Sequence, residues 1–226
     1  MQKLLTILLI SFPLIGFSQF GVSEYYLAPR FGIGMGMNSY SYFSSVNGTI
    51  TDEPIFVQME LGNGMSPEVA LGFKLIKDVY VETSLGYVIH KDFYSTQSGG
   101  QTVQQGYSFN RFNLQLNGKY YVPINDKFIL DFFGGIAYSI PKDLIVKIGG
   151  KTEIIRYAGS TGMQFGFGGD YVLGDISLHG GIRYRLERFT IKPNQKLPTD
   201  FSFLNPGFDN ISSSGIDLIF SVQFNF

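Results

Sequence analysis

The sequence has no cysteine, no tryptophan and only two histidines. Without cysteine there are no disulfides, no thiol chemistry and no lipid anchor on a thiol, which is compatible with an oxidising envelope compartment. Charged residues are scarce too, at 15% against roughly 25% in a typical soluble domain. A net charge of −1 offers no electrostatic footing for nucleic acid, so no nucleic-acid partner is expected. Nor can the chain cross a bilayer as a helix. That takes about 20 apolar residues; the run Leu4–Ile15 falls short and no other segment is a candidate. What is abundant is glycine, 28 residues, and aromatic side chains, 16% of the chain and all Phe or Tyr. At 226 residues the length fits one all-β domain.

Residues 1–18 read as an export signal. Lys3 is the charged head, Leu4–Ile15 the apolar stretch, and Gly16 and Ser18 the small residues before a cleavage ahead of Gln19. Residues 19–226 then form the single mature domain. Losing Lys3 leaves 16 basic residues against 18 acidic ones, so the mature chain is near −2.

The most informative stretch is the last. Ile216, Leu218, Phe220, Val222, Phe224 and Phe226 alternate with Asp217, Ile219, Ser221, Gln223 and Asn225. Period two means a strand with one oily and one wet face. Seven upstream segments repeat the pattern, near 27–38, 69–75, 79–89, 111–122, 128–140, 163–171 and 176–187. No charge falls on the apolar parity of any of them, and the opposite parity is rich in Gly, Asn and Gln rather than Lys and Glu. The connections alternate as well. Ile76–Asp78, Pro123–Lys127 and Val172–Asp175 are tight; Phe43–Pro67, Lys91–Gly106, Pro141–Gly159 and Thr190–Ser213 are long. Short periplasmic turns and long outer loops are the plan of a membrane barrel, apolar outward and polar inward. The expected fold is an all-β, eight-stranded, antiparallel up-and-down transmembrane barrel. Phe165, Leu178 and Leu218 should face lipid, and Gln164, His179 and Asp217 should not.

The signal, the eight alternating segments, the turn asymmetry and the terminal Phe224-x-Phe226 resemble the small outer-membrane barrels related to the OmpA transmembrane domain and OmpX, in the form exported by Bacteroidetes. The resemblance is architectural and covers Gln19–Phe226. It implies localisation in a cell outer membrane, contact with outer-membrane lipids, and reading of Phe224 and Phe226 by the barrel-assembly machinery. One departure is that Ile219 stands where a Gly is common in that signal.

The inward parity carries Arg30, Glu68, Glu82, Arg111, Lys119, Asp131, Asp170, His179, Arg183, Arg185, Glu187 and Asp217. An eight-stranded barrel is just wide enough for its own side chains, and unpaired enclosed charges are costly. A lumen closed by ion pairs is therefore expected, with inward glycines of the first and sixth strands making room for the arginines of the seventh. Counting outward from the tight turns places Lys119 opposite Asp131, Gly168 opposite His179 and Gln164 opposite Arg183. Strand eight should close the barrel against strand one, with Phe224 near Leu27.

For activity, the preferred reading is a structural or surface-interaction role through the outer loops. Tyr40, Tyr42, Phe43, Phe201, Phe203 and Phe208 are candidate contacts for an extracellular partner, or else fold onto the barrel mouth. The segment Ile55–Leu61 alternates and should extend the first hairpin beyond the membrane. The alternatives are a lipid-active enzyme, acting on lipid A or phospholipid, and a narrow passive channel. His90 and His179 have no nucleophile at a recognisable spacing, no metal-ligand spacing is present, and neither catalytic residues nor a cofactor are expected. Gly32-x-Gly34-x-Gly36 lies within a strand with no following helix, so it reads as packing rather than a nucleotide loop.

Overall fold

The computed structural model describes residues 25–44, 55–98, 101–148, 151–193, 195 and 209–226. The export signal at residues 1–18, and Phe201, Phe203 and Phe208, lie outside them, as do the side chains of Tyr42 and Phe43.

Sixteen strands are described. β1 (Tyr25–Gly36) precedes a hairpin of β2 (Tyr40–Ser44) and β3 (Ile55–Met59), and then β4 (Gly64–Ile76) and β5 (Val79–Val88). β6 (Lys91–Ser98) and β7 (Gln101–Ser108) lead to β8 (Arg111–Asn125) and β9 (Phe128–Pro141). β10 (Leu144–Ile148) and β11 (Lys151–Ile155) precede β12 (Ser160–Leu173) and β13 (Ile176–Leu186). The last three are β14 (Arg188–Thr190), β15 (Asn210–Ser212) and β16 (Gly215–Asn225).

Eight of them close a barrel in the order β1-β16-β13-β12-β9-β8-β5-β4, with every neighbouring pair antiparallel. The terminal strand seals it as expected. Leu27 opposes Phe224, and the Phe226 ring stacks on Tyr25 at 5.3 Å. Closure matters because an open strand edge in hydrocarbon leaves backbone groups without partners.

The faces follow the parity. Phe165, Leu178 and Leu218 are 53%, 47% and 38% exposed, while Gln164, His179 and Asp217 are 2%, 6% and 2%. Most large apolar side chains of the barrel strands therefore point away from the protein, as a lipid-facing belt must, with Ile219 among the few turned inward. Pro29, Pro67 and Pro123 sit inside barrel strands, where a missing N–H would break the ladder. Each falls at an irregularity, Pro123 at the bulge before Asn125. The β1–β16 ladder skips from Leu27 to Arg30 across Pro29, and beyond Glu68 the β4–β5 pairing resumes only as an isolated Met65–Ile89 bridge past Pro67. Pro67 is therefore part of β4, and the first outer connection is shorter than the sequence suggests.

Register departs from expectation in both hairpins, by two residues. β8 runs on to Asn125, whose side-chain oxygen accepts hydrogen bonds from the backbone N–H of Lys127 and Phe128, both at 2.9 Å. This cap tightens the turn and, with a bulge between Pro123 and Asn125, sets Tyr121 rather than Lys119 opposite Asp131. At the next turn Gly174 adopts φ +69°, open to glycine without steric cost. Leu173 therefore pairs with Ile176, Asp170 meets His179, and Gln164 meets Arg185. In both hairpins the parity survives because a shift of two keeps every side chain on its face.

The described parts of the long outer connections are largely strands. β2 pairs β3, β14 pairs β15, and β11-β10-β7-β6 form a four-stranded sheet. Together they bury Met59, Leu61, Tyr107, Phe109, Leu144, Val146, Ile155, Tyr157, Phe189 and Ile211 in a core outside the membrane belt. Extension of the first hairpin through Ile55–Met59 was expected; the shared core was not.

Candidate functional site

The lumen holds the charged residues of the inward parity, and nearly all of them are brought together. In its outer half Arg183 donates to Glu68 at 2.6 and 3.1 Å, to Asp217 at 2.8 Å and to Gln115 at 3.0 Å. Glu68 stands on β4 and Gln115 on β8, three strands away from β13 in either direction around the ring. One guanidinium thus ties opposite walls. Arg185 grips Asp217 at 2.7 and 2.9 Å and donates to the Gly62 carbonyl. Arg111 lies 3.1 Å from Glu187 and donates to the Leu61 carbonyl. Glu187 also accepts from Ser213 at 2.7 Å. The turn at Leu61–Gly62 therefore lies over the mouth and is held there by lumen arginines.

In the inner half Arg30 makes a forked pair with Glu82 at 2.6 and 3.0 Å, and Tyr26 donates to the same carboxylate at 2.6 Å. Lys119 sits 3.6 Å from Glu82 and 3.5 Å from Asp131. The Lys119–Asp131 pair is thus present but diagonal, not directly opposed. Between the halves Gln164 donates to Gln115 and Asn117, at 2.8 and 2.7 Å, closing a belt of amides. Tyr26 and Tyr121 are partners that the sequence reading missed. Tyr26 shares parity with Arg30, and that was the available signal.

Glycines make room for these groups, in two different ways. A Cβ on Gly34 would meet Asp217 at 2.8 Å and Arg185 at 3.2 Å, so β1 does yield to the arginines of β13. On β12 the expectation is corrected. Gly168 makes room for the His179 ring, at 2.5 Å, and Gly166 for Phe133 rather than for an arginine.

The histidines occupy different ends. His179 points its Nδ1 at Asp170 (3.1 Å) and Asp131 (3.3 Å) in the inner lumen. These three side chains offer donor atoms all within 4.8 Å of one another. No sequence spacing announces this group, because it is assembled from β9, β12 and β13. His90 lies beyond the end of β5, packed edge-on against Tyr107 at 4.7 Å, with its backbone N–H bound to Asn110. Burial, reinforced by the Arg111 guanidinium, pushes the His90 imidazole down to about 4.

The His90 shift has a measurable consequence. In the unfolded chain the ring takes a proton near pH 6.5. Between the two values the unfolded state binds more protons, so stability is lost as pH falls from about 6.5 to about 4. Corrected for the intrinsic pH dependence of amide exchange, the protection of the Tyr107 and Phe109 backbone should fall across that window in wild type, and the step should vanish in His90→Phe. An undiminished step in that variant would assign the effect to another group.

Of the aromatic contact candidates, Tyr40 packs against the outer core and accepts a hydrogen bond from the Ser212 backbone. It therefore folds onto the mouth. Tyr42 and Phe43 pair through their backbones with Val57 and Phe56.

No protein-family model matches the sequence, and no curated protein matches it. Among solved structures the chain is similar to Neisserial surface protein A, at 14% identity over 90% of this chain and 99% of that one, with a TM-score of 0.48. It is similar to Ail, the attachment invasion locus protein of Yersinia pestis, at 11% identity over 91% and 99%, TM-score 0.47. A major outer membrane protein of Thermus thermophilus aligns at 11% identity over 89% and 99%, TM-score 0.49. At such identities the likeness is one of architecture alone. The chain's own geometry is that of a small OmpA- or OmpX-like barrel: eight closed antiparallel strands, apolar outward, ion-paired inward, with tight turns at one end and long hairpins at the other. It is an outer-membrane protein.

Proposed function

We propose that this barrel works through its outer surface rather than as a conduit or an enzyme. The observation that carries the reading is where the chain invests its outer residues. Spanning a membrane needs only short connections, yet the outer hairpins form a four-stranded sheet and a buried core of their own. A folded platform loses little entropy on binding and can offer sheet edges to an extended segment of an extracellular partner. The lumen beneath it is crossed by Arg183 and roofed by the Leu61–Gly62 turn, which argues against a solute path. His90 and His179 are engaged by packing and by carboxylates respectively, which favours no lipid-modifying chemistry. Phe224 and Phe226 remain the proposed signal for the assembly machinery, at the closing seam of the barrel.

In planar bilayers the intact protein should produce no discrete conductance steps. Replacing residues 91–108 by a short turn should leave insertion intact and still give no steps, while releasing any envelope component that co-purifies with the whole protein. Reproducible steps from the intact chain would defeat the reading.

A further inference from the structure

We propose that Asp131, Asp170 and His179 form a binding site for a zinc-class divalent cation in the inner lumen. Four observations converge on it.

The first is geometry. His179 Nδ1 stands 3.1 Å from Asp170 Oδ1 and 3.3 Å from Asp131 Oδ2. Ligands of a tetrahedral zinc, bound at 2.0–2.2 Å, lie about 3.4 Å apart. Two donor spacings are thus already near coordination distance, the third lies within 4.8 Å, and the ion would sit between Nδ1 and the two carboxylates.

The second is charge. In the outer lumen Arg111, Arg183 and Arg185 face Glu68, Glu187 and Asp217, three against three. In the inner lumen Arg30 and Lys119 face Glu82, Asp131 and Asp170, two against three. Among the buried side chains the one excess negative charge falls in the half that contains His179, where an uncompensated ion is costly, with Lys74, Asp78 and Asp175 farther out on the wall of the adjoining cavity.

The third is incomplete satisfaction. Asp170 is 1% exposed and its Oδ2 has no hydrogen-bond partner; both oxygens of Asp131, which is fully buried, also lack one. Lys119 approaches Asp131 through Oδ1, whereas His179 approaches through Oδ2. The ion pair and the metal would therefore use different oxygens.

The fourth is access. Asp170 lines a cavity of about 350 Å³ at the periplasmic end, together with Tyr121, Ser177, Gln223 and Asn225. Water from this vestibule can supply the fourth ligand. One imidazole with two carboxylates suits zinc, whereas an all-oxygen set would suit calcium or magnesium. Bound there, the ion would join β9, β12 and β13 in the inner lumen, below Arg183 and Arg185 of β13.

The test uses the full, untagged chain refolded into detergent micelles, loaded with Zn²⁺ and desalted. Wild type should retain one zinc per chain. Asp170→Asn and His179→Gln should each weaken retention by ~10-fold or more, the scale seen even for losses outside the ligand set. His90→Gln should retain it fully. X-ray absorption of zinc-loaded wild type, which needs no variant to fold, should show one imidazole nitrogen among oxygen ligands. Sub-stoichiometric zinc in wild type would overturn the proposal. So would an all-oxygen shell, undiminished retention in His179→Gln, or loss in His90→Gln instead.

Discussion

Replacing Arg183 with methionine is expected to destabilise the barrel by about 3–5 kcal/mol, the cost of breaking a buried ion pair from one side. Arg183 is 2% exposed and serves Glu68, Asp217 and Gln115 at once. Asp217 keeps Arg185 at 2.7 Å, but Glu68 keeps only the hydrogen bond from the Ser66 hydroxyl, at 3.2 Å, among the described residues. The uncompensated group is therefore Glu68, and adding Glu68→Gln should recover part of the loss. Urea unfolding in lipid vesicles measures both. A single-variant loss under about 1 kcal/mol would mean that lumen water replaces the guanidinium at little cost, and that the plug is not what holds these walls together.

The second large effect tests the outward face by depth. Ile182 pairs with Leu218 and Phe167 midway along its strand, and its side chain points to lipid. Leu178 has the same orientation but stands two residues from the periplasmic end of β13. Arginine at a bilayer midplane costs about 2–4 kcal/mol, falling to about 0–1 near the interface. Ile182→Arg should therefore be the far more damaging variant, with Leu178→Arg close to wild type in the same vesicle assay. Equal and negligible losses would place this face in water and invert the barrel. Equal and large losses would mean that the apolar belt reaches lower than the tight turns suggest.

Parity was fully legible in the chain because it is local. A residue's face in a strand depends only on its odd or even place, and no charge on the apolar parity contradicts that assignment. Register was less legible. It depends on how each turn closes, and two small local devices decided it: the Asn125 side chain accepting from Lys127 and Phe128, and the positive φ of Gly174. Apart from the extended first hairpin, the outer strands were missed because they alternate weakly and pair across connections. Lys147 of β10 meets Gly106 of β7, for example, a pairing that no single stretch of sequence signals.

By itself, then, the sequence determined an eight-stranded barrel, which side chains meet lipid and which are enclosed. Period-two alternation and the aversion of hydrocarbon to charge leave little freedom in those matters. Only the tertiary structure decided which enclosed charges are partners. Arg183 can choose Glu68 only once β4 and β13 stand across a narrow lumen. Asp131, Asp170 and His179 become one group only because the strand shear brings β9, β12 and β13 to the same height. Pairing inside a barrel depends on distance between strands, and closure of the ring, rather than order along the chain, sets that distance.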